Sequence, residues 1–229
     1  VLFTLASEQG LLAANLSQIL LVVVTVSMAL TPLIAQVGQR IAIGLERYSL
    51  SRPETISEEI VDLSHHVIIS GYGRVGHTVA RLLEEEDMVY VAIDMDAFLV
   101  NKERKSGVPV YYGDTTRAHV MNALGIHRAR AVIITHNDTR VALQTITTIR
   151  ALNHDIPIIV RAKNLEQVQK LEKAGATLAV AEMFETSLQL AAALLKLLGT
   201  ADHEITRIID IFRAEDYALT RTAEQEKPA

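Results

Sequence analysis

The sequence has no cysteine and no tryptophan, and aromatic residues make up only 4% of its 229 positions. Without cysteine there is no disulfide framework, no thiolate metal site and no cysteine nucleophile. Positive charge is not in excess: 22 Lys and Arg stand against 27 Asp and Glu, a net charge of −5. Residues 1–55 carry three basic and three acidic side chains, residues 56–180 fourteen and fifteen, and residues 181–229 five and nine. No stretch forms the basic patch that holds a polyanion, so a nucleic-acid partner is excluded. Charged residues at 21% and hydrophobic residues at 49% exclude disorder as the general state. With so few aromatics, the hydrophobic fraction is aliphatic and is expected to be locally concentrated. At about 150 residues per domain the length allows one or two domains.

That concentration lies near the start. Between Glu8 and Arg40 there is no charged residue across 31 positions. Within it, Thr25, Ser27 and Thr31 interrupt an aliphatic run, and each can bond back to a helix backbone. A spanning helix needs about 20 mostly apolar residues, and the spacing predicts one over about 16–38. Pro32 is tolerated in such a helix when neighbours satisfy the freed carbonyl. A signal peptide fits poorly, because no basic segment precedes the run. A fully buried helix of a soluble core is the alternative. Arg40, Arg47 and Arg52 all follow the run, so the positive-inside rule places its C-terminal side in the cytoplasm. The chain opens on Val1 within an apolar stretch, and is expected to be a piece of something longer. Residues 1–47 read as the end of a membrane domain and 48–63, with Ser49, Ser51, Pro53 and Ser57, as a linker.

From residue 64 short aliphatic runs alternate with amphipathic stretches. Strands are expected over 66–70, 88–94, 108–112, 131–135, 156–161 and 178–181. Helices are expected over 75–86, 98–105, 117–124, 138–153 and 165–174. Strands rich in Val and Ile without polar alternation belong to a parallel sheet covered on both faces. The fold class is therefore α/β, a doubly wound Rossmann-like parallel sheet over 64–183. Residues 184–229 remain as a broadly apolar helix, expected to dimerise through Phe184, Leu188, Ala191, Leu194, Leu195 and Leu198, and a tail.

Gly71, Gly73 and Gly76 spell G-x-G-x-x-G between a buried strand and a helix. The first glycine permits the tight turn, the second lets backbone approach a phosphate, and the third lets helix and strand pack closely. The second expected strand ends in Asp94, 18 residues after Gly76. A carboxylate there accepts ribose hydroxyls and repels a 2′-phosphate, which favours AMP or NAD(H) over NADP. Tyr72, Arg74 and Val75 lie inside the fingerprint and Met95 follows Asp94, completing one wall of the expected site. Asp114 and Thr115 end the third strand and Thr135 and His136 the fourth, either as helix caps or as the opposite wall. The eight histidines show no metal-ligating spacing. After the sixth strand too little chain remains for a substrate domain, so a sensor is expected rather than an enzyme.

These residues carry a resemblance. HVIISGYGRVG, VAID, VYYGDTT and IPIIVRA together resemble the regulator-of-potassium-conductance (RCK) domain, also called the TrkA N-terminal domain. With TVSMALTPLI before them and EMFETSLQLAAALLKLLG after, the chain is similar to the C-terminal part of Kef-type potassium efflux systems, monovalent cation:proton antiporters. The resemblance implies potassium and proton exchange by an upstream membrane domain of the same chain. It implies a multi-pass protein of the inner (plasma) membrane with a cytoplasmic, homodimeric RCK domain gated by AMP or NAD(H). Some members also answer to glutathione or its conjugates and carry Arg-Ala-Arg-Asp after the fifth strand; here the residues are Arg161, Ala162, Lys163 and Asn164. A channel RCK domain and a soluble NAD-dependent oxidoreductase stand as the alternatives.

Overall fold

The computed structural model describes residues 19–20, 22–32, 34, 56 and 59–222, with side chains as far as 218. The chain divides into two compact units, Val1–Ser49 and Leu50–Ala229.

In the first unit, the described positions between 19 and 34 are helical and their side chains face outward. Thr31 Oγ1 donates to Ser27 O at 2.7 Å, the backbone-directed bond expected of a hydroxyl in an apolar helix. Among the described residues no helix is long and apolar enough to cross a membrane. Both ends of the span expected over 16–38 lie outside the described residues, as do Arg40, Arg47, Arg52 and the linker as far as residue 55.

The second unit is a six-stranded parallel sheet in the order β3-β2-β1-β4-β5-β6. The strands are β1 (Val67–Ser70), β2 (Tyr90–Asp94), β3 (Val110–Tyr112), β4 (Ala131–Ile134), β5 (Ile158–Ala162) and β6 (Leu178–Ala181). The helices are α1 (Arg74–Glu85), α2 (Ala97–Lys105), α3 (Ala118–Ala123), α4 (Thr139–Leu152), α5 (Leu165–Lys173), α6 (Glu182–Leu197) and α7 (Asp202–Thr222). Each strand lies within two residues of its expected bounds. The apparent extra residues at strand starts, such as Val89 and Val108, pack beside the sheet or accept bonds from it without joining a ladder.

Right-handed crossovers put α1 and α2 on one face, over β1–β3, and the remaining connections on the other. Two cores result. One joins Ile69, Ala92, Val110, Ala80 and Val100 under α1 and α2. The larger one joins Ile68, Val91, Val132, Ile158, Ile146 and Leu171 on the opposite face. Ile56 and Ile60, one helical turn apart, are buried in that larger core. Arg128 reinforces them by donating to Leu63 O at 3.0 Å and Ile60 O at 3.3 Å, and Arg104 pairs with Glu59 at 2.8 Å. The last part of the expected linker is thus built into the nucleotide-type fold.

On the α1/α2 face the β4–β6 half of the sheet has no helix of its own among the described residues. Ile159 and Leu178 there remain 37% and 44% exposed. The expected apolar stripe of α6 is divided. Leu188 is buried and Phe184 packs edge-on against Tyr217 of α7, while Leu190, Leu194, Leu197 and Leu198 face outward. A 3.6-residue period on a helix that is apolar nearly all round does not say which stripe a neighbouring helix covers.

Candidate functional site

β1 and β4 lie side by side but their connections leave in opposite directions, so their carboxyl ends part and open a crevice. A cavity of about 610 Å³ occupies it. Its lining includes Gly71, Gly73, Arg74 and Val75 of the glycine turn, Asp94 of β2, and Thr135 and His136 after β4.

The three glycines do different work. Gly71 has φ +98°, and a Cβ there would stand 2.7 Å from Thr135 Oγ1. A Cβ on Gly76 would stand 2.0 Å from the carbonyl oxygen of Gly71, so only glycine lets α1 cross this close to the turn. Gly73 has no atom within 4 Å of where its Cβ would be, and its backbone borders the open cavity. Gly73 is also the N-cap of α1 and brings no capping side chain. By contrast Asp96, Asp138 and Asn164 cap α2, α4 and α5. The α1 terminus therefore turns free N–H donors and the positive end of its dipole to the cavity.

Asp94 is held rigidly. Its Oδ2 accepts from Tyr72 N at 2.6 Å and its Oδ1 from Asp96 N at 2.8 Å, which leaves further lone pairs toward the cavity. Tyr72 therefore acts through its backbone; its ring is only 3% exposed and packs into the smaller core. Met95 is half exposed beside the site, without lining the cavity.

Behind the cavity runs a buried polar chain. His136 Nε2 lies 2.8 Å from Ser70 Oγ, Ser70 Oγ donates to Thr115 Oγ1 at 2.9 Å, and Thr115 lies 3.1 Å from Thr145 Oγ1. With the Ser70 hydrogen directed at Thr115, Ser70 Oγ is left as an acceptor toward an Nε2-protonated imidazole. Burial pushes the His136 pKa down, against the opposing pull of Asp94, Asp114 and Asp138. Thr115 is therefore a support of the wall and does not itself line it. Asp114 accepts from Thr116 N at 2.9 Å and Thr116 Oγ1 at 2.7 Å, closing a turn and leaving α3 without a side-chain cap. Burial would raise its pKa, but those bonds and Arg117 outweigh it and hold the carboxyl below its ordinary value.

The cavity has a far wall that was not among the expected residues. Arg161 at the end of β5 and Glu182 at the start of α6 form an ion pair across it, with Arg161 Nε 2.8 Å from Glu182 Oε2. Exposed Thr78 and half-buried Val79 of α1 also line it. Their position one turn below Arg74 and Val75, and that of Arg161 and Glu182 at carboxyl ends of strands, were the available signals. An apolar hollow of about 300 Å³ adjoins this wall over Ile133, Ile159 and Val180, on the uncovered half of the sheet.

Fold, glycine turn and ribose-type carboxylate define a nucleotide-binding α/β domain of the doubly wound class. The sequence profile of the TrkA-N domain matches residues 67–182, and the chain belongs to that family. It is 34% identical to a putative K⁺ efflux antiporter KefB of Alkalimonas amylolytica, over 96% of this chain and 34% of that protein. It is 36% identical to the chloroplastic K⁺ efflux antiporter 1 of Arabidopsis thaliana, over 93% of this chain and 18% of that one. The chain thus spans about a third or less of the length of the curated relatives it matches. Among solved structures, the Kef C-terminal domain of Shewanella denitrificans in its AMP-bound form superposes with a TM-score of 0.57 at 26% identity. That match covers 68% of this chain and 94% of the other. The GsuK channel bound to NAD superposes at 0.52 with 27% identity, over 56% of this chain and 23% of that one.

Proposed function

We propose that residues 56–222 form the nucleotide-sensing regulatory domain of a Kef-type potassium/proton antiporter, and that the sensed ligand is AMP or NAD(H). The observation that carries the reading is the conjunction at one crevice of an uncapped helix N-terminus, an unobstructed Gly73 and a rigid Asp94. The helix terminus binds a phosphate, Gly73 lets it approach, and Asp94 accepts the ribose hydroxyls, with the backbone amides already oriented, so little ordering is needed on binding. The likeness to an AMP-bound Kef domain and to an NAD-bound channel domain supports the same ligand class. The antiporter is favoured over a channel because the antiporter relatives align over 93–96% of the chain, whereas the channel likeness covers 56%. Nothing in this reading needs an enzyme: the crevice binds, and binding biases a transport domain elsewhere in the protein. The protein would then sit in the inner membrane with this domain in the cytoplasm.

A homodimer is part of the proposal. Leu190, Leu194 and Leu197 of α6, Leu198 at its C-cap and Phe212 of α7 offer an outward apolar surface suited to a second copy. Glutathione control is not included, since Lys163 and Asn164 stand where the glutathione-responsive pattern has Arg and Asp.

A ligand can gate a transporter only through different affinities for its two states. Residues 49–55 must carry that difference, because Ile56 and Ile60 are already anchored in the core. Replacing 49–55 by a Gly/Ser stretch in the full-length protein is expected to leave nucleotide affinity intact. Potassium-driven proton flux in vesicles would then no longer respond to AMP or NADH. Flux that still responds as in the wild type, or NADH turnover by the purified protein with a carbonyl substrate, would sink the reading.

A further inference from the structure

The cavity has a polarity. Asp94 stands at the end of β2, the glycine turn follows β1, and Thr135, Arg161 and Glu182 succeed one another at the ends of β4, β5 and β6. A nucleotide with its ribose on Asp94 and its first phosphate on the α1 terminus points any continuation toward Arg161. Two interstrand spacings separate the glycine turn from β5, about 10 Å. A second phosphate and the length of an arginine side chain together cover that span.

Arg161 and Glu182 are unequally placed to respond. The guanidinium side chain is 18% exposed and the Glu182 carboxylate 43%. A guanidinium that far out of water needs an anionic partner, whereas the carboxylate can return to water at little cost. An arriving phosphate offers Arg161 a doubly accepting partner of the same geometry and repels Glu182. Glu182 is also the first residue of α6. Once it leaves Arg161, the start of α6 keeps one backbone bond toward β5, Met183 N donating to Lys163 O at 3.3 Å, and is otherwise tied toward α7 by the Glu185–Arg213 pair at 2.9 Å and by Ala181 N donating to Tyr217 Oη at 3.0 Å. The pair thus stands between the crevice and the helix whose outer face is apolar.

We propose that the Arg161–Glu182 pair is a latch that reads a second phosphate. A nucleoside diphosphate or dinucleotide draws Arg161 off Glu182 and frees the first turn of α6, whereas a nucleoside monophosphate leaves the pair closed. The inference rests on the nucleotide reading above and refines it, since it sorts ligands of that site into those that move α6 and those that do not.

The test measures AMP and ADP affinity by titration calorimetry on the whole 229-residue chain, together with amide exchange over residues 183–186. In the wild type, ADP but not AMP is expected to speed exchange there. Glu182→Gln weakens the closed pair and is expected to tighten ADP by about three- to tenfold, the net scale of one ordinary hydrogen bond, with AMP unchanged. Arg161→Gln is expected to bring ADP affinity down toward that of AMP. Equal effects of both nucleotides on 183–186, or equal losses of AMP and ADP in Arg161→Gln, would overturn the latch while nucleotide binding stands. If Arg161→Gln does not fold, Glu182→Gln decides alone: AMP and ADP tightened alike overturns the latch. Absence of AMP and ADP binding to the wild type overturns both readings.

Discussion

The two halves of the sheet are built from similar strands, yet they are finished differently. On the α1/α2 face, Ile69 in β1 is fully buried beneath the helices, while Ile159 in β5 is 37% exposed above an open hollow. The same aliphatic strand chemistry therefore serves stability in one half and leaves a surface in the other. The crevice lies at the seam, with the glycine turn and Asp94 supplied by the sealed half and Arg161 and Glu182 by the open one. Binding residues in the sealed half are rigid because packing holds them. Those in the open half are held by the Arg161–Glu182 ion pair, with Arg161 also donating to Thr135 O at 3.3 Å, and no helix seals them from the α1/α2 side among the described residues.

Substitutions can separate these roles, and the largest effect is expected in the sealed half. Ile69→Ala should lower unfolding free energy by about 3–4 kcal/mol, as for a buried aliphatic truncation, whereas Ile159→Ala should cost less than about 1 kcal/mol. Urea unfolding of both variants measures the contrast, and equal losses would mean that the β4–β6 face is covered in solution. Gly76→Ala should be nearly as damaging as Ile69→Ala, at about 2–3 kcal/mol, because its methyl meets the Gly71 carbonyl. Gly73→Ala should cost about 1 kcal/mol or less, yet Gly73→Val should abolish the thermal stabilisation given by AMP or NADH. A Gly73→Val protein stabilised as well as the wild type would mean that nucleotide does not approach this turn.

Acid should strike the seam next. Burial lowers the pKa of both His66 and His136 below the ordinary value of 6.5. His66 Nε2 bonds to Leu124 O at 2.9 Å, and its Nδ1 has no partner and could take a proton only next to Arg128. Both imidazoles are neutral at pH 7 in the folded chain, and the unfolded chain gains protons first as pH falls. Stability is therefore held above pH 6.5 and lost as pH drops from there toward the folded-state pKa values. Urea unfolding at pH 7.5 and 5.5 should differ by about 1–2 kcal/mol, and His66→Gln should reduce the difference. The smallest effect is expected at the entry to the domain, where Arg104→Ala removes an exposed pair with Glu59 at a cost of about 0.5–1 kcal/mol. A larger loss there would mean that the packing of Arg104 over the Tyr111 ring also matters.

Much was legible in the residues alone, for local reasons. Strand and helix periods, the spacing of Gly71, Gly73 and Gly76, and a carboxylate ending the second strand are all properties of short segments. Each segment read alone pointed to the element and edge on which it is found. Tyr72 and Thr115 were rightly placed at that edge, but the direction of their side chains depends on strands β2 and β4 beside them. Tyr72 turns its ring into the core and gives only its amide to Asp94; Thr115 joins the hydroxyl chain behind the wall.

The sequence by itself determined the α/β class, the unbroken succession of strands and helices, and the glycine turn with its carboxylate. Those follow from hydrophobic period and from the backbone freedom of glycine, which are local. Tertiary structure alone decided that Arg161 and Glu182, 21 positions apart, face each other across the crevice. It also decided which stripe of α6 is covered by α7, that Ile56 and Ile60 belong to the core, and that one half of the sheet is left open. Those outcomes depend on which surfaces meet after the chain has crossed the sheet, and burial against a distant neighbour leaves no mark in the residues on either side of it.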